Sequence, residues 1–115
     1  MKSRDEAHVV FGAGAVGLAV MRELYKQGKR VRLVNRSGIA VAPEGVEVVK
    51  GDAADPASTR QVCRDATVVY SCINAPYTDW AALLPPMQTA IIRGAAAANA
   101  KLVVADYMAK AFSLI

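Results

Sequence analysis

Little in this chain can hold a metal ion or a disulfide framework. It has one histidine and two cysteines, and Cys63 and Cys72 lack metal-type spacing, so both are expected to be free thiols. No metal site is expected. A long apolar run is missing too, because the apolar stretches are short and broken by Gly, Pro or charge. That excludes a membrane-spanning helix. Met1-Lys2-Ser3-Arg4-Asp5-Glu6 leads into a strand without the apolar region of a signal peptide, so a cytoplasmic location is the default expectation. The formal charge is +4, but the basic residues are scattered among acids. Neither nucleic acid nor membrane is therefore expected as a partner. A phosphate-bearing small ligand accounts for the mild basicity, and so does a merely soluble surface. Repeats, linkers and low-complexity tracts are absent apart from the Ala95–Ala98 run. At 54% hydrophobic the chain is too apolar for disorder, and 115 residues suit one domain spanning 1–115.

What is present alternates between two periods. His8-Val9-Val10-Phe11 is a short apolar run stopped by glycine, which predicts a buried strand. Val16, Ala19, Val20 and Leu24 then recur at helical spacing, with Gly28 as the stop. Val31–Val34 predicts a second strand, in which Arg32 suggests that one end or face reaches solvent. The link Asn35–Gly45 is short for a crossover helix, so an irregular or one-turn connection is expected. Val46–Val49 makes a third strand, and Asp55-Pro56 opens a helix with Asp as N-cap and Pro at the first position. Ala66–Ser71 is a fourth strand rich in good strand formers. Asn74-Ala75-Pro76-Tyr77 is a loop. Pro85-Pro86 lie near the start of a helix with Met87, Ile91, Ala95 and Ala98 as its apolar stripe. Lys101–Ala105 is a fifth strand, and the last ten residues are expected to be helical. Strands alternating with helices imply an α/β, Rossmann-like doubly wound parallel sheet. Right-handed crossovers give the order 3-2-1-4-5, with ligands at the carboxyl ends of the strands beside the switch between strands one and four.

Several residues with ligand chemistry fall along that one edge. Gly12-Ala13-Gly14-Ala15-Val16-Gly17 has the form Gly-x-Gly-x-x-Gly, directly after a strand and opening an amphipathic helix. Gly12 permits the tight turn, Gly14 lets the backbone approach a pyrophosphate, and Gly17 permits close helix–sheet packing. The helix start offers free N–H groups to phosphates. A glycine turn in an unliganded α/β domain remains the bland alternative. After strand two, an NAD site usually carries a carboxylate for the ribose hydroxyls. This chain has Asn35-Arg36-Ser37, and Arg36 can grip a 2′-phosphate with Ser37 donating a further bond. NADP is therefore preferred to NAD, against the alternative of an Arg pointing into solvent. Asp52 and Ala53 end strand three where an adenine would lie, although Asp52 also suits a local cap. Asn74 and Ala75 should pass beneath the nicotinamide side. Tyr77 and Trp80 suit a substrate pocket or plain packing. Cys72 has no assignable base, and His8 reads as a surface or strand-edge residue.

The segments Val10–Gly17, Val31–Ser37, Gly45–Pro56 and Val68–Tyr77 resemble the atypical and extended short-chain dehydrogenase/reductases, the NAD-dependent epimerase/dehydratase group. The resemblance runs from about residue 7 to 106, strengthened by Trp80 with Pro85-Pro86-Met87-Gln88 and by Lys101–Asp106. It implies that Gly12, Gly14 and Gly17 hold the pyrophosphate, Arg36 and Ser37 meet the adenosine ribose, Asp52 and Ala53 meet adenine, and Asn74 and Ala75 lie by the nicotinamide. A rival resemblance is to the nucleotide-binding regulatory domains of potassium channels and transporters. Those usually carry an acidic residue where this chain has Asn35-Arg36, and lack the Asn74–Tyr77 loop followed by a Pro-Pro helix.

The family's usual catalytic pair is Tyr-x-x-x-Lys. Tyr107-Met108-Ala109-Lys110 is one residue too short for it, so the catalytic residues stay unknown. The family also continues into a sixth strand and a substrate-binding region. The expectation is a cofactor-binding domain of an oxidoreductase or epimerase, truncated before that region and inactive alone. The alternatives are a non-catalytic dinucleotide sensor and a degenerate remnant. An apolar tail of Ala109, Ala111, Phe112, Leu114 and Ile115, beside an open strand edge, would favour self-association.

Overall fold

The computed structural model describes residues 6–73 and 80–104, with backbone alone for residues 80–84. The chain runs β1 (Ala7–Phe11), α1 (Ala15–Lys26), β2 (Arg30–Asn35), β3 (Glu47–Lys50), α2 (Pro56–Val62), β4 (Ala66–Ser71), α3 (Trp80–Ala97) and β5 (Lys101–Val104). All strand pairs are parallel and the order is β3-β2-β1-β4-β5. The Rossmann-like architecture expected from the alternating pattern is therefore the one observed.

β1 lies centrally between β2 and β4, and Val9, Val10 and Phe11 are sealed from solvent. Side chains alternate across the sheet, so each face has its own core. One cluster holds Val9, Phe11, Val34, Val62, Val69, Ile91 and Ala95. The other holds Val10, Met21, Leu24, Val31 and Leu33. Each fully buried aliphatic or Phe side chain is worth about 1.5–3 kcal/mol, so these two layers are what make the sheet stable.

Helix α1 packs Val16, Val20 and Leu24 of the expected stripe against the second core and departs from it only at Ala19. Gly17, Met21 and Leu24 are its buried residues, whereas Ala19 is exposed. The rotation follows from the glycine turn: a Cβ on Gly17 would lie 1.8 Å from the Gly12 carbonyl oxygen, so Gly17 must face the sheet. Its fourth and seventh successors then face inward as well. Gly28, at φ +76°, ends the helix as expected, with the Lys29 N–H returning to the Leu24 carbonyl at 3.0 Å.

Helix α2 starts as expected, with the Asp55 carboxylate accepting from Ala57 N–H at 3.0 Å and Pro56 in the first turn. Arg32 does not simply reach solvent. Its guanidinium donates to the Val62 and Arg64 carbonyls at the end of α2 and pairs with Glu47. It thus satisfies carbonyls that a helix end leaves unpaired.

The helix containing Pro85-Pro86 begins at Trp80, so the prolines lie near its start as expected. Both prolines lie inside α3, and both are exposed. They remove the amide hydrogens that would bond to the carbonyls of Ala81 and Ala82. The stripe of Met87, Ile91, Ala95 and Ala98 does pack into the first core, as expected. Gly94 adds a contact not anticipated: a Cβ there would meet the Thr59 carbonyl oxygen at 3.0 Å and Cys63 Sγ at 3.2 Å. Its absence lets α3 close on α2.

His8 also differs from expectation. It sits within central β1 and is buried, not on a surface or edge. Its ring stacks on Tyr70 with centroids 5.9 Å apart, and Nδ1 is 3.0 Å from the Tyr70 hydroxyl. Burial lowers its pKa, outweighing the opposing pull of Glu6.

Candidate dinucleotide-binding cleft

The carboxyl ends of β1, β2, β3 and β4 open on one edge. The ladder continues one residue past the strands, through Gly12 N–H to Val34 O, Gly51 N–H to Asn35 O and Cys72 N–H to Phe11 O, each 2.9 Å. Every loop therefore leaves the sheet at a fixed point. Between them lies a cleft of about 270 Å³, lined by Phe11, Gly12, Ala13 and Gly14 from the first loop, Val34, Asn35 and Arg36 from the second, Gly51 and Ala53 from the third, and Cys72, Ile73 and Met87.

The three glycines of the first loop differ in what they touch. Gly12 has φ +109°, and a Cβ there would meet the Cys72 carbonyl oxygen at 2.5 Å. Gly17 is confined by the Gly12 carbonyl, as above. A Cβ on Gly14 would meet nothing within 4 Å, and Gly14 has φ −81°, which any L-residue adopts. The fold itself demands Gly12 and Gly17 but places no demand on Gly14. What glycine leaves there is open space at the mouth of α1. As N-cap, Gly14 makes no side-chain hydrogen bond, and the first turn of α1 has no acidic residue. The first amides of the helix thus point outward with a partial positive charge and no internal anion. Ala15 and Val16 stand in that turn without lining the cleft.

In the second loop the side chains divide their tasks. Asn35 donates to Ile39 O at 2.8 Å and accepts from Gly38 N–H at 2.7 Å. Ser37 Oγ accepts from Ile39 N–H at 3.1 Å and donates to Ile39 O at 3.2 Å. Asn35 and Ser37 are therefore engaged in holding a tight turn. Arg36, exposed between them, lines the cleft.

The third loop holds a similar division. Asp52 Oδ1 accepts from Ala54 N–H at 2.9 Å, the local cap weighed above, and its side chain does not line the main cleft. Ala53 does, and is buried. Asn74, Ala75, Tyr77, Tyr107 and Lys110 lie outside the described residues, as do the side chain of Trp80 and the apolar tail.

Cys72 and Cys63 are free and buried, and burial pushes each thiol up to about 11. Both stay protonated near neutrality, so neither is a ready nucleophile. Among the described residues no three His, Cys, Asp or Glu side chains gather as a metal site, and no helix is long and apolar enough to cross a membrane. Sequence reasoning missed Met87 as a wall of the cleft, having read it only as part of the helix stripe. It also passed over Lys50.

A family model described as NAD(P)H-binding matches residues 12–111. No curated protein matches the chain. Among solved structures, it is similar to a Bacteroides thetaiotaomicron protein provisionally named an epimerase, with 26% identity, a TM-score of 0.70, and coverage of 86% of this chain and 46% of that one. A variant of uronate dehydrogenase from Agrobacterium tumefaciens, complexed with NAD, is 22% identical with a TM-score of 0.70, over 88% of this chain and 40% of that one. The Bordetella bronchiseptica enzyme WbmH, in complex with NAD+, is 17% identical with a TM-score of 0.70, over 82% and 36% respectively. The chain spans less than half the length of each of these solved relatives.

Proposed function

The chain belongs to the NAD(P)H-binding family, and from that premise we propose that it is the cofactor domain of an oxidoreductase or epimerase, with NADP preferred to NAD. The observation that carries this reading is Gly14, a glycine that nothing inside the fold requires, facing open space where the free amides of α1 converge. A pyrophosphate is an anion of the right size for such amides, and only a residue without a Cβ leaves room for it.

The chain's own residues then have separable roles. Gly12, Gly14 and Gly17 shape the loop, and the N–H groups of Gly14, Ala15, Val16 and Gly17 meet the pyrophosphate. Asn35 and Ser37 hold the turn that presents Arg36, whose guanidinium takes the 2′-phosphate of the adenosine ribose. Ala53 borders adenine, with Asp52 organising the loop beside it. Asn74 and Ala75 take the nicotinamide side. Phe11, Val34 and Ile73 exclude water from the floor of the cleft. When bound, the dinucleotide supplies or accepts a hydride, and the groups that direct it to a substrate lie beyond the residues assigned here.

The test is a titration with NADPH and NADH, following nicotinamide fluorescence, on the chain and on Gly14→Val and Arg36→Ala. The reading expects tighter binding of NADPH, loss of both dinucleotides in Gly14→Val without unfolding, and loss of the NADPH preference in Arg36→Ala. A folded chain that binds neither dinucleotide would sink it.

A further inference from the structure

A second hollow, of about 300 Å³, adjoins the cleft and shares Arg36 and Gly51 with it. Parallel pairing sets Lys50 opposite Asn35, so β2 and β3 deliver Arg36 and Lys50 to the same edge. Both line the hollow, with Asp52, Asp55 and Ser58. The turn after Arg36 presses on Lys50: at Gly38, φ +73°, a Cβ would lie 3.0 Å from Lys50 Cβ.

The charges decide what this hollow can take. The ion pairs formed among the described residues are His8–Glu6, Lys26–Glu23 and Arg32–Glu47, and none involves Arg36 or Lys50. Asp52 and Asp55 each turn one oxygen to a backbone N–H, of Ala54 and Ala57. Both carboxylates still oppose an anion, and Arg36 by itself cannot offset two of them. Lys50 makes the balance even. Ser58 Oγ accepts from Asp52 N–H at 2.9 Å, which leaves its own hydrogen to donate.

We propose that Lys50 is a specificity-determining residue: with Arg36 and Ser58 it completes a pocket for a phosphate monoester, the 2′-phosphate of the dinucleotide. This rests on the dinucleotide reading given above. The monoester carries nearly two negative charges at neutral pH, which a fork and a point charge from neighbouring strands meet together. A ribose hydroxyl in the same place brings no charge to the two cations, which then have only Asp52 and Asp55 near them. Discrimination therefore belongs to the pair and not to Arg36 alone.

The experiment measures dissociation constants of NADPH and NADH for the chain and for Lys50→Gln, Lys50→Met and Lys50→Arg, with circular dichroism to establish folding. The NADPH-to-NADH affinity ratio should fall about tenfold in Lys50→Gln and Lys50→Met, the effect of losing one charge-assisted contact, and hold in Lys50→Arg. The ratio should also shrink as salt is raised. An unchanged ratio in the folded neutral variants, or a wild-type preference for NADH, overturns the pocket and leaves dinucleotide binding standing. A wild-type chain that binds neither nucleotide overturns both.

Discussion

At the scale of single residues, the glycine loop separates what the fold needs from what a ligand needs. Gly17→Ala would drive a methyl group into the Gly12 carbonyl, a backbone atom with no rotamer to escape through. Overpacking of that kind should cost about 3 kcal/mol, read as a lower urea midpoint. Gly14→Ala meets nothing, and its stability should stay within about 1 kcal/mol of the parent. Equal losses in the two variants would show that the loop is not held as described. The pattern Gly-x-Gly-x-x-Gly and the separate task of each glycine were legible in the sequence; what spacing could not give is the atom each one meets, the Cys72 carbonyl for Gly12 and the Gly12 carbonyl for Gly17. His8 was illegible for a related reason. A polar residue at the start of an apolar run looks like an edge, and only β4, folding in from sixty residues away, supplies Tyr70 to cover it. Its lowered pKa gives a signed prediction. The unfolded chain takes up a proton below about pH 6.5 more readily than the folded one. Stability is thus fully present above that pH and falls as the solution is acidified toward the depressed folded value. Urea midpoints at pH 7.5 and 5.5 should differ for the parent and differ less for His8→Phe. An identical difference in both would assign the pH dependence to other groups.

At the scale of elements, local signals were reliable wherever a short-range interaction defines the boundary. Asp55-Pro56 opens α2 as its residue types indicate, and α2 is short enough for the cap to matter. Asp55→Ala should cost about 1 kcal/mol of stability, measured by denaturant unfolding, whereas Asp55→Ser should recover most of it. If serine does not rescue, the carboxylate acts through its charge and not as a cap. Boundaries set by tertiary pairing were harder to read. β3 was placed at Val46–Val49 and is observed at Glu47–Lys50, one residue later, because pairing with β2 draws Lys50 into the ladder opposite Asn35. Lys50 comes beside Arg36 only through that pairing, which spacing along the chain does not reveal. Pro85-Pro86 lie near the start of α3, as the sequence indicates, and both are exposed within the helix.

At the scale of the whole molecule, the sheet order and the edge that carries the cleft followed from alternation and handedness, since both are properties of the chain as a path and tolerate errors of a residue at each end. The division of labour within the cleft was not accessible in that way, because Asn35, Ser37 and Asp52 spend polar atoms on their own turns while Arg36 lines the cleft. This arrangement couples binding to folding. The cleft exists only when β1, β2, β3 and β4 are assembled, so a dinucleotide that occupies it stabilises the native state and has no comparable site on the unfolded chain. NADPH at 100 times its dissociation constant should add about 2.7 kcal/mol to the unfolding free energy, a rise in melting temperature on the order of 10 °C for a chain of this size. Gly14→Val, which fills the space at the mouth of α1 without touching the core, should melt near the parent temperature and show little shift with NADPH. A full shift in that variant would mean that the nucleotide stabilises the protein from some other surface, and the glycine loop would lose its claim to the pyrophosphate.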